Sequence, residues 1–183
     1  MRKFVLVVLA AALFLGIGIQ NASADNSLKT GALSLGVAIS SPVTNGVTVD
    51  ISSIPVIQGK YMLANDLGLL AGLGFGSKGG DLDGTDIDFL IGARKYLKTT
   101  DVAPFAGVKL IYSSRDDGAN IDGSAIQFMV EFGAEAFLLK QFSIEGSVGV
   151  GFVSADNKDS NGNKTDGTNF GTTNAGVSVN YYF

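Results

Sequence analysis

The sequence contains no cysteine, no histidine and no tryptophan among its 183 residues. The absence of cysteine excludes disulfide scaffolds, thiolate metal sites and cysteine nucleophiles. The absence of histidine excludes Ser-His-Asp catalysis and histidine-ligated zinc or haem. Charged residues make up only 16% of the chain, against about 25% in ordinary soluble domains. We therefore expect a protein that is not an enzyme and that binds no cofactor.

Residues 1–24 have the pattern of a secretory signal peptide. Arg2 and Lys3 form a short basic region, an apolar run follows over residues 4–19, and small residues at 22–24 fit the site that signal peptidase reads. We predict cleavage before Asp25, because a transmembrane anchor would need about 20 apolar residues. The remaining chain, residues 25–183, has 11 basic and 17 acidic residues. This acidic balance argues against nucleic acid as a partner.

Residues 25–183 show period-two alternation, which indicates β-strands. Between residues 125 and 137, for example, Phe128, Val130 and Phe132 share one face, and Met129 and Glu131 share the other. Alternating segments recur around 32–40, 47–63, 67–76, 87–94, 106–112, 125–137, 142–152 and 175–183. Short links at 65–66, 98–102 and 139–141 alternate with long polar links at 41–46, 77–86, 113–123 and 154–169. We predict one all-β domain, an up-and-down meander of eight strands of about 10 to 15 residues.

The two faces of the predicted strands differ in an inverted way. One face carries large branched and aromatic side chains, whereas the other is crowded with glycine, alanine and serine and holds the strand charges. Those charged residues are Asp50, Lys60, Arg94, Lys109, Glu131, Glu135 and Glu145. A soluble lipocalin-like barrel would place the large apolar residues inside, but a narrow barrel in lipid places them outside. We therefore predict an eight-stranded antiparallel up-and-down transmembrane β-barrel.

The end of the chain carries a family resemblance. The alternating residues there are Val177, Val179, Tyr181 and the terminal Phe183. In this ending the sequence resembles bacterial outer-membrane β-barrels. More narrowly, residues 25–183 are similar to eight-stranded OmpA/OmpX-type, or porin-family, barrels. The local matches are Gly72-Leu73-Gly74-Phe75-Gly76, Gly92-Ala93-Arg94-Lys95-Tyr96-Leu97 and Tyr181-Tyr182-Phe183.

The resemblance implies a cellular location and partners. A protein of this kind resides in the outer membrane of a Gram-negative bacterium, after export through the periplasm, and contacts the membrane lipids. The resemblance also implies that the barrel-assembly machinery recognises the C-terminal strand. We expect a monomer. Because no peptidoglycan-binding domain follows the barrel in the sequence, tethering to the cell wall is not implied.

The inward charges form the most site-like feature of the sequence. Lys109 and Glu131 fall near mid-height on neighbouring strands, whereas Lys60, Arg94, Glu135 and Glu145 fall toward the end with short links. Buried charges are tolerated only when they are paired. We predict an ion-pair network that fills the lumen. The alternatives are a gated conduction path and a pair of carboxylates, Glu131 and Glu135, that performs acid–base chemistry.

The long links are rich in acids and include two stretches with a faint likeness to calcium loops. The aspartates of the links are Asp81, Asp83, Asp86, Asp116, Asp117, Asp122, Asp156, Asp159 and Asp166. Asp81, Asp83 and Asp86 form one stretch, and Asp159 and Asn161 belong to the other. Carboxylates and amides around a glycine turn suit Ca²⁺, but neither stretch has the 12-residue EF-hand spacing. We therefore predict no metal site.

Three functions are compatible with these features. The leading hypothesis is a small structural outer-membrane barrel whose polar, acidic extracellular loops are available for surface interaction. The second is a narrow porin-like channel for small solutes, and a filled lumen argues against it. The third is an adhesin or a protein that binds a host factor. The loops lack the aromatic residues that dominate binding hot spots, so nothing in them supports this third function.

Overall fold

A closed β-barrel accounts for the described part of the chain. The computed structural model describes residues 26–42, 54–78, 84–116, 122–158 and 161–183. Its strands are β1 (Leu33–Pro42), β2 (Val56–Ala64), β3 (Leu67–Lys78), β4 (Gly84–Tyr96), β5 (Val102–Asp116), β6 (Asp122–Leu139), β7 (Phe142–Lys158) and β8 (Lys164–Tyr182). Each strand pairs antiparallel with the next, and β8 pairs with β1 to close the barrel. The predicted eight-stranded up-and-down barrel is therefore confirmed. None of the described residues forms a helix long and apolar enough to cross a membrane.

Most of the large apolar side chains of the described strands point outward from the barrel. Along β6, Val130 and Phe132 are 40% and 53% exposed, whereas Glu131 between them is 1% exposed. The other predicted inward charges of the described residues also face the lumen, and Asp50 lies outside the described residues. Closure pairs the backbone groups of every strand on both sides, as a lipid environment requires. The inverted distribution of polar and apolar groups is that of a membrane barrel.

The strands at one end of the barrel are longer than their side-chain pattern indicated. The predicted link 154–169 is mostly a hairpin, because β7 runs to Lys158 and β8 starts at Lys164. The links at 77–86 and 113–123 shrink in the same way. Backbone pairing continues here after the alternation of apolar and polar residues has stopped. The prediction of 10 to 15 residues per strand was therefore wrong for β6, β7 and β8, which have 18, 17 and 19 residues.

This extension also moves several acids out of the predicted loops. Five of the nine link aspartates lie within strands: Asp86, Asp116, Asp122, Asp156 and Asp166. The remaining four, Asp81, Asp83, Asp117 and Asp159, lie outside the described residues, as do the predicted signal peptide and the strand residues 47–51. The short links lie where the sequence placed them, between β2 and β3, β4 and β5, and β6 and β7. We call this end of the barrel the short-turn end and the opposite one the loop end.

Candidate functional site in the barrel lumen

Six charged side chains meet in the lumen near the short-turn end. Lys60 Nζ lies 2.7 Å from Glu135 Oε2 and 3.4 Å from Glu145 Oε2. Arg94 Nε lies 2.6 Å from Glu131 Oε1, and the same guanidinium contacts Glu145. Lys109 Nζ lies 2.6 Å from Glu131 Oε2. The network thus brings together all six residues named from the sequence, Lys60, Arg94, Lys109, Glu131, Glu135 and Glu145. Its three cations and three carboxylates cancel in formal charge.

Hydroxyl groups complete the network around Glu135. Its carboxylate accepts hydrogen bonds from Tyr96 at 2.6 Å, Ser143 at 2.5 Å and Tyr182 at 2.9 Å. Lys60 also donates to the Tyr182 hydroxyl at 2.9 Å. These three residues were not predicted from the sequence to belong to the network. The sequence does contain a sign of their role: each has a polar group at an inward position of a strand whose inward face otherwise carries mainly small residues.

Gly107 gives Arg94 the space to reach Glu131. It lies on β5 directly between the two, paired with Arg94 on β4 and with Glu131 on β6. A Cβ atom at Gly107 would lie 2.5 Å from the Ala93 carbonyl oxygen, 3.0 Å from Arg94 Cγ and 3.2 Å from Glu131 Oε1. The arginine can therefore cross a whole strand only because the strand carries no side chain at this point.

Gly107→Ala is expected to weaken the Arg94–Glu131 contact and to lower the free energy of unfolding by about 1–3 kcal/mol, the usual cost of overpacking. Gly146→Ala is the matched control, because a Cβ atom there meets nothing within 4 Å. The control should be neutral or slightly stabilising, since alanine restricts the unfolded chain. Urea unfolding in lipid vesicles measures both. Equal stability of the two variants would show that Gly107 does not create the space for the ion pair.

An N-terminal segment covers the short-turn end of the lumen. We call residues 26–31 the cap segment. Asn26 Nδ2 donates to the Thr100 carbonyl at 2.8 Å, and Ser27 Oγ donates to the Lys140 carbonyl at 2.7 Å. Thr30 N donates to Asn65 Oδ1 at 3.0 Å. The cap segment is therefore bound to all three short turns. The cap segment was not predicted from the sequence, because it has no periodicity. Gly31 ends it with a φ of 85°, a conformation that favours glycine.

Leu28 of the cap segment fills the mouth of the barrel. Its side chain is 2% exposed. It belongs to a buried apolar cluster that consists of Leu28, Met62, Tyr96, Ala103, Phe105 and Tyr182. Phe105 also lies under the guanidinium of Arg94, with 4.2 Å between Cζ and the ring centroid. The apolar cluster and the ion-pair network thus form two adjoining layers of the lumen.

A small cavity lies in the lumen beside the network, and Lys109 and Glu145 contribute to its wall. The other polar residues that line it are Ser40, Gln58, Asp88, Ser113, Gln127, Ser147, Asn174 and Ser178. Its volume is about 40 Å³. That volume accommodates about three water molecules, at roughly 10–15 Å³ for each. We call it the lumen cavity.

The C-terminal strand forms the closing seam of the barrel. Along β8, Val177, Val179 and Phe183 point outward, and Phe183 is 70% exposed. The Tyr181 and Phe183 ring centroids lie 5.2 Å apart. The Phe183 amide donates to the Leu33 carbonyl of β1 at 2.9 Å. The C-terminal signature therefore lies on the outer surface next to the seam, and its recognition by assembly machinery stays a prediction.

The faint calcium loops gain no support. Asp81, Asp83 and Asp159 lie outside the described residues. Asp86 faces the lumen from β4, with Arg115 Nε 3.7 Å from Oδ1, so its placement in a loop was wrong. Asn161 lies in the turn before β8. Within the ranges that the structure describes, no three acidic, histidine or cysteine side chains are grouped as metal ligands.

The family follows from comparison with known proteins. The model of the family "Outer membrane protein beta-barrel domain" matches residues 9–183. The chain belongs to this family. It is a protein of the bacterial outer membrane, and in such barrels the short turns face the periplasm and the longer loops face the exterior. The short-turn end with its cap segment is thus the periplasmic end.

Solved structures show the same fold at low sequence identity. The outer membrane protein OprG from Pseudomonas aeruginosa is 13% identical, with a TM-score of 0.55 over 85% of this chain and 97% of OprG. The outer membrane protein AlkL, solved in lipid bilayers, is 12% identical, with a TM-score of 0.53 over 92% of this chain and 96% of AlkL. At this identity the likeness concerns the fold alone. No curated protein sequence matches the chain.

Proposed function

We propose that this protein is a structural, non-conducting barrel of the outer membrane. The observation that carries the proposal is the charge-neutral network across the lumen, in which Glu131 and Glu135 are 1% and 0% exposed. An aqueous pore would hydrate such side chains, whereas these are bound to one another. The exposed aspartates at the extracellular strand ends then form the surface available for interaction: Asp116, Asp122, Asp156 and Asp166.

The cap segment supports the same function. It adds an apolar layer at the periplasmic mouth, where Leu28 is packed against Tyr96 and Phe105. A solute would have to displace this layer and then break the ion pairs above it. The lumen cavity is too small to serve as a continuous path, since its volume is about 40 Å³.

The acid–base alternative has little geometric support. Glu131 is held by Arg94 and Lys109, and Glu135 is held by Lys60 and three hydroxyl groups. General acid–base catalysis requires a carboxyl group within hydrogen-bond reach of a substrate. Both oxygens of each carboxylate already accept hydrogen bonds from protein donors, so we propose that the protein is not an enzyme.

Planar-bilayer recording tests the proposed function. The wild-type protein is expected to insert without discrete conductance steps, because both lumen layers stay closed. Insertion of folded protein is checked by its heat-modifiable migration in SDS gels, which reflects the closed hydrogen-bonded barrel. A variant that combines Leu28→Ala with Lys109→Ala and Glu131→Ala opens both layers and should leak ions. Regular conductance steps from folded wild-type protein would overturn the proposal and favour the narrow channel.

A further inference from the structure

Asp88 is a buried carboxylate of the lumen without a basic partner. It faces inward from β4 and is 7% exposed. The Ser113 hydroxyl donates a hydrogen bond to it. The neighbouring acid Asp86 has its own basic partner, with Arg115 Nε 3.7 Å from Asp86 Oδ1. Among the residues whose side chains the structure describes, no lysine or arginine forms an ion pair with Asp88. An isolated buried charge is strongly disfavoured, so Asp88 either takes up a proton or gains a counter-charge.

The ion-pair network cannot supply that counter-charge. Lys109 is the nearby cation that also lines the lumen cavity, but its Nζ lies 2.6 Å from Glu131. Because the network is already neutral, moving Lys109 to Asp88 would leave the network with a net negative charge and Glu131 with Arg94 alone. A counter-charge for the ionised form of Asp88 must therefore come from outside the described side chains.

Gln127 provides an independent sign of a missing ligand. It lines the same cavity from β6, is 2% exposed, and its Oε1 accepts no hydrogen bond. Buried polar atoms nearly always have a partner in native proteins. Asp88 pairs with Ser113 of β5 and Gln127 pairs with Ile111, so their backbones lie two strands and two residues apart, roughly 12 Å. Both side chains reach the same cavity from these positions. A carboxylate and an amide oxygen that both lack partners thus line one cavity.

The donor set and the volume define the chemistry of the ligand. The other oxygen donors on the wall are the Glu145 carboxylate, which is already bound to Arg94 and Lys60, and a set of neutral side chains: Ser40, Gln58, Ser113, Ser147, Asn174 and Ser178. Divalent cations prefer several carboxylates, and no group of three acids occurs within the described ranges. A cavity of about 40 Å³ suits an ion with one or two waters and excludes a bulky organic cation.

We propose that the lumen cavity binds one small alkali cation, sodium or potassium, between Asp88 and Gln127. The cation balances Asp88, satisfies Gln127 Oε1 and completes its shell with water and the neutral oxygens of the wall. It stabilises the folded barrel without passing through it, because the ion-pair network closes the lumen below.

Salt-specific unfolding tests this site. Urea unfolding of the full barrel in zwitterionic vesicles is compared in sodium chloride and in choline chloride at equal ionic strength. Choline is too large for the cavity. The two salts therefore screen the charges of the protein equally, but only sodium can bind in the cavity. At a sodium concentration ten times the dissociation constant, the folded-to-unfolded ratio should be about elevenfold higher than without a binding cation. Equal stability in the two salts would overturn the proposal.

Two variants and one control locate the effect. Asp88→Asn should abolish the difference between the salts, and in choline chloride it should be at least as stable as the wild type because an unbalanced charge is gone. Gln127→Leu should shift the sodium dependence to higher concentrations. Asp156→Asn removes an exposed acid and should retain the full sodium dependence. A sodium effect that persists in Asp88→Asn, or that is lost equally in Asp156→Asn, would contradict binding in the cavity.

Discussion

Glu131→Ala is expected to lower the free energy of unfolding by about 3–5 kcal/mol, the usual cost of removing one partner of a buried ion pair. The reason is that Glu131 serves two cations, Arg94 Nε and Lys109 Nζ, each at 2.6 Å. Without it, Lys109 keeps no partner in the network and Arg94 keeps Glu145. Water entering the lumen would relieve part of the cost. Urea unfolding in lipid vesicles measures the change.

A double-mutant cycle isolates the pairwise contribution. Lys109→Ala combined with Glu131→Ala should recover part of the loss, because the cation that the glutamate neutralised is then absent too. The matched control is Lys95 with Asp66, a pair of similar distance, 2.5 Å, whose side chains are 58% and 43% exposed. Exposed pairs contribute about 0–1 kcal/mol. A coupling energy for Lys109 and Glu131 no larger than that of the control would contradict a sealed network and indicate hydrated charges.

The fold was accessible from sequence because one pattern determines it. In a narrow membrane barrel every strand must place large apolar groups toward lipid and small or polar groups inward. The residue types at Phe128, Val130 and Glu131 therefore predict which side chains face the lipid and which face the lumen. The six lumen charges could be predicted for the same reason, because a charged side chain at an inward strand position is kept away from the lipid and must lie in the lumen.

The parts that sequence did not reveal lie where this constraint is absent. Beyond the membrane both faces of a strand are polar, so β7 and β8 continue through Asp156 and Asp166 without any alternation to mark them. The cap segment has no periodicity, because hydrogen bonds from Asn26 and Ser27 to turns that are distant in sequence hold it in place. The role of Gly107 depends on its being paired with Arg94 on β4 and with Glu131 on β6. The alternation within one strand does not specify which residues of neighbouring strands are paired.

The two lumen layers also differ in what they contribute. The ion-pair network closes the lumen but contributes little net stability, because the attraction within buried ion pairs is largely offset by their desolvation. The apolar layer at the periplasmic mouth has no such opposing cost. Its contribution comes from burial of Leu28 against Met62 and Phe105. Removal of apolar volume from this layer should therefore reduce stability directly.

Leu28→Ala is expected to lower the free energy of unfolding by about 2–5 kcal/mol, the range for truncating a buried leucine. The side chain is 2% exposed and fills the mouth between aromatic rings that cannot collapse, since Tyr96 and Tyr182 are held by Glu135. Leu138→Ala at the same end is the matched control, because its side chain is 59% exposed and no cavity forms when it is truncated. Urea unfolding in vesicles compares the two, and limited proteolysis from the periplasmic side reports release of the cap segment. If Leu28→Ala costs no more than Leu138→Ala and the cap segment stays protected, Leu28 does not anchor the cap, and closure of the lumen rests on the ion-pair network alone.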